Sequence, residues 1–184
     1  MRDDFSKTLL GMPQSLPSSR VGIAETFPRW AITANAAVAT NQWAATAIYL
    51  PAGLRVVGIT MFSGGTALGT GVHQWFGLWD SGLALLGGSA DDTSTAWAAH
   101  TAKRLTLTTP LTTTYAGRYF VGAGFTATTV PTLACISPPS GATRVLTPYF
   151  SVWDIATALT SLANPLVQAA NTSGNGIAPY AVLD

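Results

Sequence analysis

The sequence predicts an all-β protein, an antiparallel β-sandwich of jelly-roll type with an extended N-terminal arm, and three observations carry that prediction. From Trp30 onward, short runs of β-branched, aromatic and small residues recur between Gly, Pro and Asn punctuation, a pattern of strands and turns. Apolar residues at helical spacing are brief and few. Charge is scarce: nine Lys and Arg and eight Asp and Glu make up 9% of the chain, against roughly 25% in ordinary globular domains. The chain divides accordingly into an arm, residues 1–29, and one sandwich domain, residues 30–184.

The arm holds Arg2, Asp3, Asp4, Lys7, Arg20, Glu25 and Arg29, and its prolines, Pro13, Pro17 and Pro28, disfavour a continuous helix. In the domain, strands are expected at Ala44–Leu50, ended by Pro51-Ala52-Gly53, and at Leu54–Phe62, ended by Ser63-Gly64-Gly65. The glycine-rich run Ser63–Gly71 reads as a hairpin loop. Val72–Asp80 and Leu83–Leu86 follow, with Ser81-Gly82 as the turn between them. Asp92 is placed to cap a short helical turn reaching Ala99. Arg104 to Thr108 alternates strictly, which puts Leu105 and Leu107 on a buried face. In Arg118–Phe125 one face carries Tyr119, Val121, Ala123 and Phe125; the other carries Phe120, Gly122 and Gly124, so another backbone or ring is expected close to those glycines. Asp154–Ala163 reads either as a short helix, from Ile155, Leu159 and Leu162, or as a long loop before Pro165. Pro179–Leu183 reads as a closing strand.

Several function classes are disfavoured by composition. A formal net charge of +1 with dispersed Lys and Arg gives no basic face for counterion release, so nucleic acid is not an expected partner. The uncharged stretches are broken by Thr, Asn, Gly and Pro before the ~20 apolar residues that a spanning helix needs, and no membrane association is expected. The start of the chain sets Asp3, Asp4 and Lys7 before the short pair Leu9-Leu10 and lacks a signal-type apolar region, so synthesis in the cytosol is expected. Asn171-Thr172-Ser173 is then a chance match to a glycosylation acceptor. Cys135, alone, reads as a small buried hydrophobe.

Chemistry-bearing residues are sparse. His73 and His100 are the bases of suitable pKa, and no Gly-x-Ser-x-Gly elbow accompanies either, so no catalytic residue is assigned and the chain is not expected to be an enzyme. Asp91-Asp92 offers oxygen ligands for a hard cation but reads first as a turn and cap; Ser63–Gly71 lacks the Gly-Lys-Ser/Thr end of a phosphate cradle. No metal or cofactor is expected. The tryptophans, Trp30, Trp43, Trp75, Trp79, Trp97 and Trp153, are many for this length. Trp75 and Trp79 share one face of their strand while Phe76 and Leu78 occupy the other, which makes the strand apolar on both sides. One face is assigned to the core and the other to an interface between subunits; a sugar-binding platform of exposed Trp rings is the alternative. With the charged arm, this gives an expected interface of Arg20, Arg29, Trp30, Trp75 and Trp79.

Five segments carry a resemblance: Ala47-Ile48-Tyr49-Leu50-Pro51-Ala52-Gly53, Val56–Phe62, Trp75-Phe76-Gly77-Leu78-Trp79-Asp80, Ala90-Asp91-Asp92 and Arg118-Tyr119-Phe120-Val121-Gly122. Together, across residues 44–134, they resemble small β-rich virion proteins of tailed phages of actinobacteria and their relatives. The resemblance implies a non-enzymatic structural protein of the virion, made in the host cytoplasm: a capsid decoration protein, with a head fibre or minor tail protein as alternatives; a carbohydrate-binding module, from the Trp rings, is the rival outside this class. The implied partners are its own copies, as a homotrimer, and other virion proteins such as the major capsid protein, with a host-surface glycan as a further partner.

Overall fold

Strand-forming residues dominate the chain, and the computed structural model, which describes residues 24–93, 95–136, 151–155, 159–167 and 177–184, is built almost wholly of antiparallel strands. In chain order they are β1 (Ala24–Glu25), β2 (Ala34–Ala37), β3 (Gln42–Leu50), β4 (Arg55–Phe62), β5 (Gly71–Trp79), β6 (Leu85–Gly88), β7 (Ala102–Thr112), β8 (Gly117–Ala127), β9 (Thr132–Ile136), β10 (Ser151–Ile155), β11 (Ala178–Pro179) and β12 (Ala181–Leu183). A 3-10 turn, Arg29–Ala31, is the helical element among the described residues. One layer is the five-stranded sheet β10-β3-β8-β5-β6. The other comprises β1-β12-β4-β7 and β11-β9-β2, joined through the β11–β12 segment and an isolated bridge from Ser63 to Leu133. The result is an antiparallel β-sandwich.

Pairing is nested: β5 with β6, β4 with β7, β3 with β8 and β2 with β9, each antiparallel. Consequently most connections cross from one layer to the other. The Ser63–Gly71 segment is one of them and is not the hairpin loop expected from its glycines, because β4 and β5 lie in different sheets. Asp80-Ser81-Gly82-Leu83 is a hairpin turn as expected; Leu83 N–H donates to the Asp80 carbonyl (3.0 Å), and the Asp80 carboxylate accepts from Gly82 and Ala84. Pro51-Ala52-Gly53 also turns the chain, with Gly53 at φ 77°, a left-handed conformation that glycine adopts without steric cost.

β7 keeps the expected alternation and also explains an oddity in its sequence. The register with β4 jumps from Gly58↔Thr106 to Val56↔Leu111, leaving residues 107–110 without partners on β4. Pro110, which has no N–H to donate, falls in this gap, and Leu107 instead bridges to Ser89 of the facing layer. One edge of the sandwich is closed in this way.

Between the layers lies a core that includes Ile48, Ile59, Met61, Phe76, Leu78 and Trp97. A second core covers the outer face of the five-stranded sheet, where Trp43, Trp75, Trp79 and Phe120 pack beneath Leu159, Leu162 and Leu166. The expected close approach at the β8 glycines is realised here: a Cβ on Gly124 would stand 2.6 Å from the Trp43 ring. Cys135 is buried, and that burial pushes its thiol pKa up and keeps it protonated.

Elsewhere the expectations shift. Asp92 Oδ1 does accept a cap-like bond from Thr95 N–H (2.9 Å), yet no helix follows among residues 95–99, because the chain is crossing between sheets and Trp97 is drawn into the core. Asp154 and Ile155 belong to β10, and residues 159–163 form a loop, which decides the earlier alternative as far as the described residues go. Residues 24–29, assigned by sequence to the arm, lie on the sandwich: β1 pairs with β12 and Phe27 is buried. Residues 1–23, and the Asn171-Thr172-Ser173 match, lie outside the described residues.

Replacing Gly124 with Val should cost about 1–3 kcal/mol, since the Trp43 ring is held on all sides and cannot yield cheaply. Leu107→Asp should abolish cooperative unfolding, because Leu107 is only 2% exposed, whereas Leu105→Asp, at a half-buried site, should be milder. Urea denaturation measures both; an unchanged midpoint for Gly124→Val would contradict the packing described.

Candidate functional site

Of the expected interface, Arg29 and Trp30 are brought to one place by a small separate core. Phe27 packs on Tyr180 with ring centroids 5.5 Å apart, and Phe62 packs on the same ring at 5.4 Å. The Tyr180 hydroxyl donates to Glu25 and accepts from Arg29 Nε (3.0 Å), and Arg29 lies 3.6 Å from the Glu25 carboxylate. Burial, reinforced by the bond to Glu25, pushes the Tyr180 pKa up to about 12. The same hydroxyl and carboxylate raise Arg29. These contacts clip residues 24–31 to the domain and leave Trp30 86% exposed beside them.

Trp75 and Trp79 do not form a surface. Trp79 is fully buried, its Nε1 donates to the Ala163 carbonyl (2.8 Å), and its ring meets Trp43 edge-on at 5.4 Å. Trp75 is sandwiched between Trp43 and His73, whose rings lie 6.2 and 5.0 Å away at interplanar angles of 29° and 11°. The face assigned to a subunit interface, or to a sugar platform, is therefore occupied by residues 159–167 of the same chain. The physical reason is plain: an apolar face gains as much from an intramolecular cover as from a neighbour, and does so without loss of translational freedom. Arg20 lies outside the described residues.

The densest polar cluster lies at the end of the sandwich that carries the long β4–β5 and β6–β7 connections. His73 Nδ1 is 2.5 Å from Asp91 Oδ2, and Asp91 also accepts from Gln74 N–H (3.1 Å). Asp92 meets Lys103 Nζ at 2.8 Å, and Lys103 donates as well to the Thr95 carbonyl. Burial alone would raise the Asp92 pKa, but hydrogen bonds from Lys103 and Thr95 outweigh it and hold the carboxyl below its ordinary range. Lys103 was missed by the sequence reading, although the β7 alternation, carried one step back from Leu105, places it on the buried face. A cleft of about 210 Å³ opens between Leu68–Gly71 and Asp92, Thr93, Thr95 and Ala96. That is smaller than the roughly 300–1,000 Å³ usual for small-molecule sites. A His–Asp pair can orient an imidazole, but no hydroxyl or thiol among the described residues bonds its second nitrogen, and no three potential metal ligands converge among them.

Stability should bend with pH at both extremes. Asp92 has a lowered pKa in the folded state, so its contribution is present above the ordinary carboxylate value and is lost as pH falls through the lowered one; Asp92→Asn should flatten that acid limb. Tyr180 is raised from 10.0 to about 12, so its contribution holds below pH 10 and disappears as pH climbs toward 12; Tyr180→Phe should remove that alkaline limb. Thermal melts across the pH range read both, and limbs identical to wild type in the two variants would contradict these assignments.

In comparison with known proteins, no family model, curated protein or solved structure matches the chain.

Proposed function

We propose that the chain is a non-enzymatic structural subunit of a tailed-phage particle, a capsid decoration protein that docks on the head surface as a homotrimer, with its own copies and the major capsid protein as partners. The observation that carries this reading is the nested pairing of β2 through β9. We read it as a jelly roll, with β10 added to the free edge of β3 and the β11–β12 segment set against β4 and β9. Viral shell subunits and lectins use that arrangement. Scarcity of charge and the resemblance over residues 44–134 favour a particle subunit over a soluble binding module. The clip formed by Phe27, Arg29 and Tyr180 adds a further reason, since it fixes residues 24–31 on the sandwich and sets the exposed Trp30 beside it.

Mass spectrometry of purified particles, with immunogold labelling, tests the assignment. The expected result is recovery with the particle and labelling over heads. Labelling over tails would reassign the chain to a minor tail protein, and absence from particles of an infection that produces it would end the reading. Light scattering should give the mass of three chains; a monomer at micromolar concentration would remove the trimer.

A further inference from the structure

Charge pairing within the sandwich is nearly complete, and its exceptions share one end. Among the described residues Arg29 meets Glu25, Lys103 meets Asp92 and Arg104 meets Asp184. Asp80 is engaged by its own turn and Asp91 by His73. Among the described residues no carboxylate pairs with Arg55 or Arg118; Asp80, at the same end, accepts through Oδ1 from the backbone of its own turn. Arg118 is half-buried over the Phe120 ring at 5.5 Å, and its Nε is buried without a hydrogen-bond acceptor. A buried donor on a charged group is costly to leave unsatisfied.

Both cations stand at the end where the β3–β4, β5–β6 and β7–β8 turns meet. Hydrogen bonds tie those turns together: Gly53 N–H to the Thr113 carbonyl (2.8 Å), Leu54 N–H to Thr113 Oγ1 (2.9 Å) and Ser81 N–H to the Tyr115 hydroxyl (3.1 Å). Tyr115 is stacked on Tyr119 at 4.7 Å, so its ring is fixed. Tyr49 lies directly opposite Arg118 on the neighbouring strand; it is 74% exposed, and its hydroxyl has no partner among the described residues. Tyrosine and arginine on a rigid support are the residue types that dominate protein interfaces, because they bring contact area and directed donors at little entropic cost.

We propose that this end, centred on Tyr49 and Arg118 with Arg55 and Tyr115 at its margin, is a docking surface for an acidic protein segment, whose carboxylates would pair with the guanidinium groups of Arg118 and Arg55. Two isolated arginines among aromatic rings, on a chain of net charge +1, suit a few carboxylates better than a polyphosphate backbone, which draws on many cations. The inference does not depend on where in a particle, or whether in one, the protein resides.

Fluorescence anisotropy of the full chain with a fluorescein-labelled hexaglutamate peptide at low salt tests it. Arg118→Gln should weaken binding by about tenfold, as loss of a charge-assisted contact at an interface centre does, and Arg55→Gln, at the margin, by about threefold. Lys7→Gln, which removes an equal charge from outside this group of residues, should not. Thermal unfolding of each variant is compared first; Arg55 is exposed at a strand end, so its variant keeps the test decisive if Arg118→Gln does not fold. No binding by the wild type, or equal weakening by Lys7→Gln, would overturn the proposal. Displacement of the peptide by tripolyphosphate at lower concentration than by unlabelled hexaglutamate would also overturn it, since the surface would then be reading phosphate.

Discussion

A β-sheet that is apolar on both faces has to be covered twice, and the five-stranded sheet of this protein imposes that constraint on everything around it. Its inner face is met by the opposing layer. Its outer face, with Trp43, Trp75, Trp79 and Phe120, is met by residues 159–167. That segment is fastened at separate points: Leu159 N–H to Asn41 Oδ1, Leu166 N–H to the Leu83 carbonyl, and Asn164 Oδ1 to Leu85 N–H. The first two answer backbone groups that burial would otherwise leave unpaired, and the third, from the exposed Asn164, ties the segment to β6. The large rings also dictate their neighbours, which is why Gly124 stands where β8 passes beneath Trp43.

With so few charges available, the fold uses them to join separate elements. Glu25 and Arg29 bind Tyr180, Asp92 binds Lys103 across the β6–β7 connection, and Arg104 grips Asp184 through Nε and Nη2. Asp184 is further held by its carbonyl, which accepts from Val57 and Gly58. These pairs differ in weight. Lys103 is 8% exposed, so losing Asp92 would strand a buried ammonium, whereas the Arg29–Glu25 pair is largely in water, where an ion pair contributes little by itself. Tyr180 and the Phe27 ring do more than that charge pair to hold β1 in place.

The fold was legible because alternation and punctuation are local signals. β3, β4, β5, β7 and β8 fall close to where the β-branched runs and the Pro and Gly stops put them. Leu107 lies deep in the core and Leu105 at its margin, as the period of two requires. What sequence could not convey was the identity of the cover. The Trp75 and Trp79 pattern states that a face is apolar, and an apolar face looks the same whether a neighbouring subunit or residues 159–167 will lie on it. Glycines in Ser63–Gly71 likewise announce a change of direction without saying whether the chain returns to the same sheet. The Tyr180 clip was invisible for a different reason: it is assembled from Glu25, Phe27, Arg29 and Tyr180, residues about 150 positions apart that no local pattern links.

The two ends of the sandwich have become chemically unequal as a result of the nested pairing. Long crossovers gather at one end, and there the polar side chains, Asp91, Asp92, His73 and Lys103, spend their bonding capacity on each other and on nearby backbone. Short turns gather at the other, and the acid they hold, Asp80, is bonded within its own turn and not to the strand-end arginines. A tight turn is also stiff, so side chains mounted beside it lose less freedom on meeting a partner than side chains on a long loop would. Among the described residues, topology thus places the Asp91–His73 and Asp92–Lys103 pairs where the chain is long, and the arginines without an ion pair, Arg55 and Arg118, where it is rigid.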